Sequence, residues 1–243
     1  MTTLSIGDLL LLNEEPEKEV LVPRATVDMF LEFTSQNPDK NFELIDGQII
    51  AMAGASNPHN TILSNLSATI GNHFLLNKYP CIFYVDSEYH IGIFNYVRPD
   101  FAVVCNQINK YRSFDKPIIV GEIYSSNRDS DIKKLEIYKN QETIQEIFMI
   151  EQEKFEIVAH RKKAPNIWEK QVYGLGDTVT FESIDYELPV EIIYNFIKFD
   201  KKGKPYVDMV NVWQGKQKFP TFLGWEFCLK SKQILGKIKT LRR

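Results

Sequence analysis

The chain has 243 residues, of which 44% are hydrophobic and 25% charged, a composition typical of a folded globular protein and not of a disordered one. Its three cysteines, Cys81, Cys105 and Cys228, are widely spaced, which fits a reducing compartment and argues against a disulfide framework or a thiolate zinc site. We expect no signal peptide and no membrane span, and therefore predict a cytoplasmic protein.

Charge is distributed unevenly along the chain. The formal net charge of −3 combines 12 Lys and Arg against three Asp and Glu from Lys198 onward with 17 against 29 in residues 1–197. The basic part is either a solvated end or an extension that binds a polyanion. Charge and Gly/Pro content change together at "FDKKGKP". We therefore predict an N-terminal arm (1–21), one domain (22–197) and a basic, aromatic-containing C-terminal extension (198–243).

The first predicted elements are a helix, a hairpin and a second helix. Thr26 is the expected cap of a helix in "VPRATVDMFLEFTSQNPDK". Two apolar runs flank Asp46 and Gly47 in "FELIDGQIIAMAG", which predicts a tight hairpin. Asn57 is the expected cap of the second helix and Pro58 its first residue. The apolar positions of that helix recur at helical spacing: Ile62, Leu66, Ile70 and Phe74.

Strands dominate the middle of the chain. Apolar runs predict strands at "CIFYVD", "EYHIGIF", "DFAVV" and "PIIVGEIY", and "RDSDIKKLEIYKN" predicts a third helix. A hairpin is expected in "EIFMIEQEKFEIVAHR", and strands at "WEKQVY" and "DTVTF" complete the compact part near "YELPVEIIY". This order predicts an α+β (α/β) fold with a mixed or antiparallel central sheet flanked by helices.

Two carboxylates stand at the ends of neighbouring predicted strands. Asp100 opens "DFAVV" and Glu122 closes "PIIVGE". If these strands pair antiparallel around a turn centred near Tyr111, Asp100 lies opposite Glu122, with Cβ atoms ~5 Å apart. The same register pairs Ala102 with Val120. Two carboxylates this close repel each other, so either one is protonated or a cation lies between them.

Other interpretations of this pair remain open. The connection between the strands is long enough for the register to slip. Solvated acids at two strand ends, or an ion pair between Asp100 and Arg98, would need no function. A close carboxylate pair also serves retaining glycosidases, although the sequence shows no long aromatic-lined cleft. The histidines have no ligand spacing, which argues against a histidine zinc site.

Several motifs, in order, resemble the Uma-type restriction endonuclease family, long described as a domain of unknown function within the PD-(D/E)XK nuclease superfamily. They are "NFELIDGQIIAMAGASNPHNTILSNL", "RPDFAVV", "VGEIYSS" and "KKLEIYKN". Residues 1–21 and those after Phe199 lie outside the resemblance. It implies a restriction-endonuclease-like core that hydrolyses DNA phosphodiester bonds with Mg²⁺ or Mn²⁺, acting as a homodimer.

The resemblance also assigns roles to individual positions. Asp100 and Glu122 match the two acidic metal ligands, and Glu43 in "FELIDG" matches the N-terminal acidic catalytic residue. His59 matches the histidine that opens the second helix, although a polar residue of a first helical turn is the plainer interpretation. The superfamily's lysine two residues after the glutamate is absent, because Tyr124 occupies that position.

A cation is still needed beside the metal to stabilise the attacking hydroxide or the charge on phosphate. In this family it comes from the following helix, which points to Lys134 as the catalytic lysine and to Lys133 as the next candidate. Lys134 and Tyr138 are one helical turn apart and share a face. A solvated pair of Lys134 with Asp131 is the alternative, and Glu43 could equally face water.

The leading functional interpretation is a metal-dependent DNA endonuclease. The alternative is a non-catalytic nucleic-acid-binding or assembly module on the same fold. The negative charge of residues 1–197 favours this alternative, because non-specific DNA affinity comes mainly from neutralised phosphates.

Overall fold

The structure is a computed structural model that describes residues 24–52, 54–106, 115–124 and 128–210. Its helices and strands follow the predicted order: α1 (Val27–Gln36), β1 (Phe42–Ile45), β2 (Gln48–Ala51), α2 (Asn57–Asn77), β3 (Cys81–Val85), β4 (Tyr89–Ile91), β5 (Asn95–Val97), β6 (Phe101–Cys105), β7 (Ile119–Ile123), α3 (Arg128–Lys139), β8 (Glu146–Ile150), β9 (Glu156–Ala164), β10 (Ile167–Gly174), β11 (Thr178–Phe181), β12 (Tyr186–Pro189), α4 (Val190–Ile193), β13 (Ile197–Phe199) and β14 (Pro205–Val207).

Local capping and turn chemistry sets the first elements. The Thr26 side chain accepts a hydrogen bond from the Met29 N–H at the start of α1, as predicted. Asp46 and Gly47 have φ angles of 51° and 78°, the left-handed conformation that a two-residue hairpin turn requires. They join β1 to β2 in the predicted hairpin.

The second helix begins one residue earlier than predicted. Its N-cap is Ser56 and not Asn57, and the Ser56 hydroxyl accepts from the His59 N–H at 3.1 Å. The same hydroxyl donates to the Gln152 Oε1 at 2.5 Å. This contact spans 96 residues of sequence, so local preference, which favours either residue as a cap, could not predict it.

A six-stranded mixed sheet forms the centre of the fold, in the order β10-β9-β8-β7-β6-β3. Its strands pair antiparallel except for β7 and β8, which are parallel and are connected through α3. A smaller antiparallel sheet has the order β2-β1-β5-β4. The predicted α+β fold with a mixed central sheet is confirmed. The run "EYHIGIF" contributes only β4, because the chain turns at Gly92, where φ is 61°, and the residues directly after the run form the unpredicted strand β5.

Side chains of the central sheet alternate between two hydrophobic layers. Phe101, Val103 and Ile119 pack with α2, β11–β12 and α4 on one side, which we call the α2 face. Ala102 and Val120 pack with α3 and with residues of the small sheet on the other side, which we call the α3 face. The sheet is therefore buried on both sides, and each face has a different set of neighbours.

The structure corrects the expectation for cysteine pairing. Cys81 and Cys105 lie directly opposite each other on β3 and β6 and form a disulfide. They are 24 residues apart in sequence, and only the register of the two strands brings them together. The prediction against disulfides is therefore wrong for this pair, while Cys228 lies outside the described residues.

The predicted division into an N-terminal arm, a domain and a C-terminal extension can be compared with the structure only in part. Described residues up to Val207 belong to one compact unit, and the β13–β14 hairpin spans the predicted boundary at residues 197 and 198. Residues 1–21 and the extension from residue 211 onward lie outside the described residues, so the three-part division stays a prediction. None of the described helices is long and apolar enough to cross a membrane.

A glycine is required where β6 and β7 pair. Gly121 lies opposite Phe101, and a Cβ at position 121 would lie 2.1 Å from two atoms of the Phe101 ring. We expect Gly121→Ala to lower the free energy of unfolding by about 2 kcal/mol or more in urea titrations, because the ring must move within a packed core. The control is Gly71→Ala in α2, where a Cβ meets nothing within 4 Å and a gain of about 0.5–1 kcal/mol is expected. Equal stability of the two variants would contradict this packing.

Candidate active site

The register of β6 and β7 brings the two predicted acids together. Phe101 pairs with Gly121 and Ala102 with Val120 in an antiparallel ladder, which confirms the predicted pairing. One step further in the same register, Asp100 stands opposite Glu122. Alternation along the strands places both acids on the α3 face, beyond the apolar floor that Ala102 and Val120 provide.

Asp100 is held on both of its carboxylate oxygens. Its Oδ1 lies 3.0 Å from the His59 Nε2, and its Oδ2 accepts a hydrogen bond of 2.6 Å from the Ile123 N–H. Burial lowers the pKa of His59, but the hydrogen bond and negative charge of Asp100 outweigh it, so this pKa lies above its ordinary value. The first turn of α2 therefore supplies a residue that contacts the candidate site.

Glu122 is fully buried and is also bonded on both oxygens. Lys134 Nζ donates to its Oε2 at 2.7 Å, and the Tyr138 hydroxyl donates to its Oε1 at 2.6 Å. Burial raises the pKa of Glu122 well above its usual range, while the charge of Lys134 opposes this rise. Lys134 and Tyr138 share one face of α3, as their one-turn spacing predicts.

Lys134 is the centre of this cluster. Its Nζ lies 2.7 Å from Glu122, 3.4 Å from Glu43 and 3.7 Å from Asp131. Burial lowers the pKa of Lys134, but the neighbouring carboxylates outweigh burial and raise it, so the ammonium group stays charged. The lysine is buried and not solvated. Lys133, in contrast, is exposed, and its Nζ lies 3.2 Å from the Gln48 Oε1.

Glu43 reaches the cluster from the small sheet. Its side chain is buried, not exposed to water, and its Oε1 accepts from the Arg98 N–H at 2.7 Å. Burial raises the pKa of Glu43, while the charge of Lys134 lowers it. The Arg98 guanidinium does not contact Asp100: it lies 3.2 Å from Asp86 and 3.3 Å from the Asn41 side chain.

The cluster is rich in acid and suits a divalent cation in its donor type. Carboxylate oxygens are the hard ligands that Mg²⁺ and Mn²⁺ prefer, and Mg²⁺ commonly binds one or two carboxylates while water and substrate phosphate complete its shell. Within the described ranges, no group of three or more His, Cys, Asp or Glu could hold a metal ion. The Lys134 ammonium instead lies among Glu43, Glu122 and Asp131. Asp100 and Glu122 are thus two carboxylates with the donor type that such a cation prefers.

Polar contacts beyond β7 connect the cluster to its surroundings, and no pattern in the sequence predicts them. The Gln152 side chain donates to the Tyr124 carbonyl at 2.6 Å. The Arg128 guanidinium lies over the Tyr124 ring, 4.8 Å from its centroid, and pairs with the buried Glu151 at 2.6 Å. Gln152 and Glu151 follow directly after β8, where no sequence motif indicates a role.

Comparisons with known proteins agree with this architecture. The model of the family described as Uma2, "Putative restriction endonuclease", matches residues 27–191. The "Uncharacterized protein slr1290" of Synechocystis sp. is 26% identical over 184 residues, which cover 73% of this chain and 95% of that protein. A crystal structure of "a putative nuclease belonging to DUF820" from Anabaena variabilis superimposes with a TM-score of 0.56 at 18% identity and covers 70% of this chain and 97% of that one. At that identity the structural likeness shows the fold alone.

Proposed function

Since the chain belongs to the Uma2 family, we propose that it is a metal-dependent endonuclease that hydrolyses DNA phosphodiester bonds. The observation that carries this proposal is the carboxylate pair Asp100 and Glu122 on adjacent strands, with the charged Lys134 2.7 Å from Glu122. Acidic metal ligands beside a fixed cation suit the stabilisation of charge on a phosphate during hydrolysis.

Each residue of the cluster has a role in this proposal. Asp100 and Glu122 would hold Mg²⁺ or Mn²⁺, which when bound supplies an activated water and neutralises phosphate charge. Lys134 stays protonated because the carboxylates raise its pKa, so it acts through its charge and does not accept a proton. Glu43 completes the catalytic set by holding the ammonium group from its other side, at 3.4 Å.

Orientation comes from neighbouring donors. The Ile123 N–H and His59 fix the Asp100 carboxylate, and the Tyr138 hydroxyl fixes that of Glu122. With both carboxylates already oriented, little reorganisation is needed when a cation and a phosphate bind, and preorganisation of this kind is a main source of catalytic power.

The decisive experiment is a cleavage assay with purified full-length protein. Supercoiled plasmid, single-stranded circular DNA and modified DNA are incubated with Mg²⁺, with Mn²⁺ or with EDTA. The proposal expects nicks or breaks with either cation and none with EDTA. Cleavage that persists in EDTA, or no cleavage of any substrate, would contradict it.

The second candidate is a non-catalytic nucleic-acid-binding or assembly module. It is favoured by the bonding of Glu122, whose two oxygens already accept from Lys134 and Tyr138, and by the acidity of residues 1–197. Metal binding and DNA binding without cleavage would select this function.

The proposal extends to partners and cellular location. Cleavage of both strands of a duplex generally needs two active sites, so we propose a twofold homodimer, which sedimentation of the full chain tests directly. The basic extension (198–243) would supply phosphate contacts that the acidic domain lacks. The cytoplasm is the proposed location.

Metal binding should depend on pH in a defined direction. Burial holds the pKa of Glu122 well above its usual range, so at low pH a cation must displace a proton. We expect Mg²⁺ or Mn²⁺, at a fixed concentration a hundredfold above its Kd at pH 8, to stabilise the protein by about 2.7 kcal/mol at that pH, and by progressively less as the pH falls and the Kd rises. Thermal unfolding with and without metal measures this stabilisation. Glu32→Gln, which removes an exposed acid of α1, should leave the stabilisation by metal unchanged. If stabilisation by metal instead became larger toward low pH, Glu122 would be excluded as a metal ligand.

A further inference from the structure

Next to the carboxylate pair lies an aromatic residue, Tyr124, that has no role in the proposed function. Tyr124 follows β7, and its N–H continues the ladder by donating to the Ile150 carbonyl at 2.8 Å. Since strand side chains alternate, Tyr124 lies on the same face as Glu122, about 6.6 Å further along. Its partly buried side chain packs with the hydrophobic layer of the α3 face, as this alternation requires.

Arg128 covers the Tyr124 ring and is itself fixed. Its guanidinium lies 4.8 Å from the ring centroid, within the range of a cation–π contact, and 2.6 Å from the carboxylate of Glu151, whose side chain is 4% exposed. The Arg128 side chain is 51% exposed. A planar guanidinium group that contacts an aromatic ring is therefore also accessible to solvent.

The charge of this arginine is already paired. Glu151 neutralises it, so Arg128 adds little net attraction for phosphate. Residues 1–197 as a whole carry 17 Lys and Arg against 29 Asp and Glu. What remains for a ligand is the flat guanidinium face, and nucleobases stack on arginine planes and on aromatic rings irrespective of sequence.

Hydrogen bonds connect Tyr124, on which Arg128 lies, to the carboxylate pair. Gln152 donates to the Tyr124 carbonyl and accepts from the Ser56 hydroxyl. Ser56 in turn caps the helix that carries His59, the residue that contacts Asp100. A base that rests on Arg128 would thus be held at a defined place relative to the carboxylates.

We propose that Tyr124 and Arg128 form a stacking platform for an unpaired nucleobase next to the scissile phosphate, so that the substrate is single-stranded or locally unpaired nucleic acid. This inference rests on the proposed function and specifies its substrate class. In an intact duplex each base is already stacked and paired, and only an extruded or single-stranded base could reach the platform.

The test measures binding without cleavage, using the full chain in EDTA. The probes are a fluorescent single-stranded oligonucleotide, its duplex, and a single strand that contains 2-aminopurine, whose fluorescence falls on stacking. Arg128→Lys keeps a charge for Glu151 but removes the plane, and Tyr124→Leu removes the ring. Both should weaken single-strand binding about tenfold and abolish the 2-aminopurine quenching, with duplex binding changed by less than about twofold.

Two controls separate stacking from folding. Tyr124→Phe keeps the ring and should bind as wild type. Arg24→Lys alters an arginine that also lies over an aromatic ring, that of Phe94 at 4.1 Å, and also pairs with an acid, Asp46, but at the turn of the small sheet. It should leave both binding and quenching unchanged. Because Arg128 lies at the surface, its variant remains informative even if Tyr124→Leu unfolds.

The outcomes distinguish this inference from the proposed function. The inference would be overturned if Arg128→Lys bound the single strand and quenched 2-aminopurine as wild type does. It would also be overturned if the variants lost affinity equally for the single strand and the duplex. If the wild type cleaves duplex in Mg²⁺ while the variants behave normally, only the inference fails. If the wild type neither binds nor cleaves nucleic acid of either form, the proposed function and the inference fail together.

Discussion

Asp100→Asn is expected to slow cleavage by at least about a thousandfold, the upper part of the range for loss of one transition-state-stabilising group. The change keeps the shape of the side chain, and the amide oxygen can still accept from the Ile123 N–H. It removes one of the two negative charges that would hold the cation. Single-turnover cleavage at saturating Mg²⁺ measures the rate, and calorimetry measures the loss of metal affinity.

The variant should fold, because the asparagine removes repulsion between Asp100 and Glu122. Asp86→Asn is the matched control: this acid lies beside Arg98 at 3.2 Å, outside the carboxylate pair, and its replacement should change the rate by less than about tenfold. If Asp100→Asn bound metal as tightly as wild type, Asp100 would not be a metal ligand. If Asp86→Asn lost as much cleavage rate as Asp100→Asn, the loss would follow from removing any negative charge in this region and not from removing a metal ligand.

Lys134→Met should cost about 3–5 kcal/mol of unfolding free energy, because it leaves buried carboxylates without their cation. Glu122 and Glu43 are both buried against the ammonium group, and cleavage should also be lost because the proposed role of Lys134 depends on its charge. Burial raises the pKa of both carboxyl groups and the charge of Lys134 lowers it, so removal of Lys134 raises these pKa values further and the variant loses more stability than the wild type as the pH rises through them. The destabilisation should therefore be larger near pH 8 than near pH 5, which urea titrations at the two pH values measure.

Lys133→Met is the control for this prediction. Lys133 is exposed and contacts only Gln48 among the partners described, so its replacement should stay within about 0.5 kcal/mol of wild type. Lys134→Arg keeps a positive charge and should retain more stability than Lys134→Met, although its larger planar group alters the contact with Glu122. If Lys133→Met proved the more harmful change, the assignment of the lysine would be off by one residue.

Local signals were enough to predict much of the fold. The Asp46-Gly47 turn, the Thr26 cap and the symmetric spacing of Asp100 and Glu122 each depend on residues close in sequence or on a single hairpin register. Physical preferences act directly at that range, so the β1–β2 hairpin, α1 and the β6–β7 pairing follow from sequence alone.

Contacts between distant segments were not accessible in this way. The Ser56 cap depends on Gln152, and the disulfide of Cys81 with Cys105 depends on strand register. The family resemblance pointed to Lys134 as a candidate but did not predict its burial among three carboxylates, which requires the small sheet to bring Glu43 against α3. These features form only when elements pack, and no local pattern encodes the packing partner.

The separation of the central sheet into an α2 face and an α3 face affects how mutations combine. Effects of substitutions at distant sites without shared partners usually add, so a stabilising change on α2 away from its first turn, which carries His59, should offset a loss of stability on the α3 face without affecting the chemistry there. Gly71→Ala would then act as a global suppressor of Lys134→Arg, restoring its folded population but not its cleavage. The same independence would allow residues near the substrate to change during evolution. The hydrophobic layer of the α2 face would keep the protein stable enough to tolerate those changes.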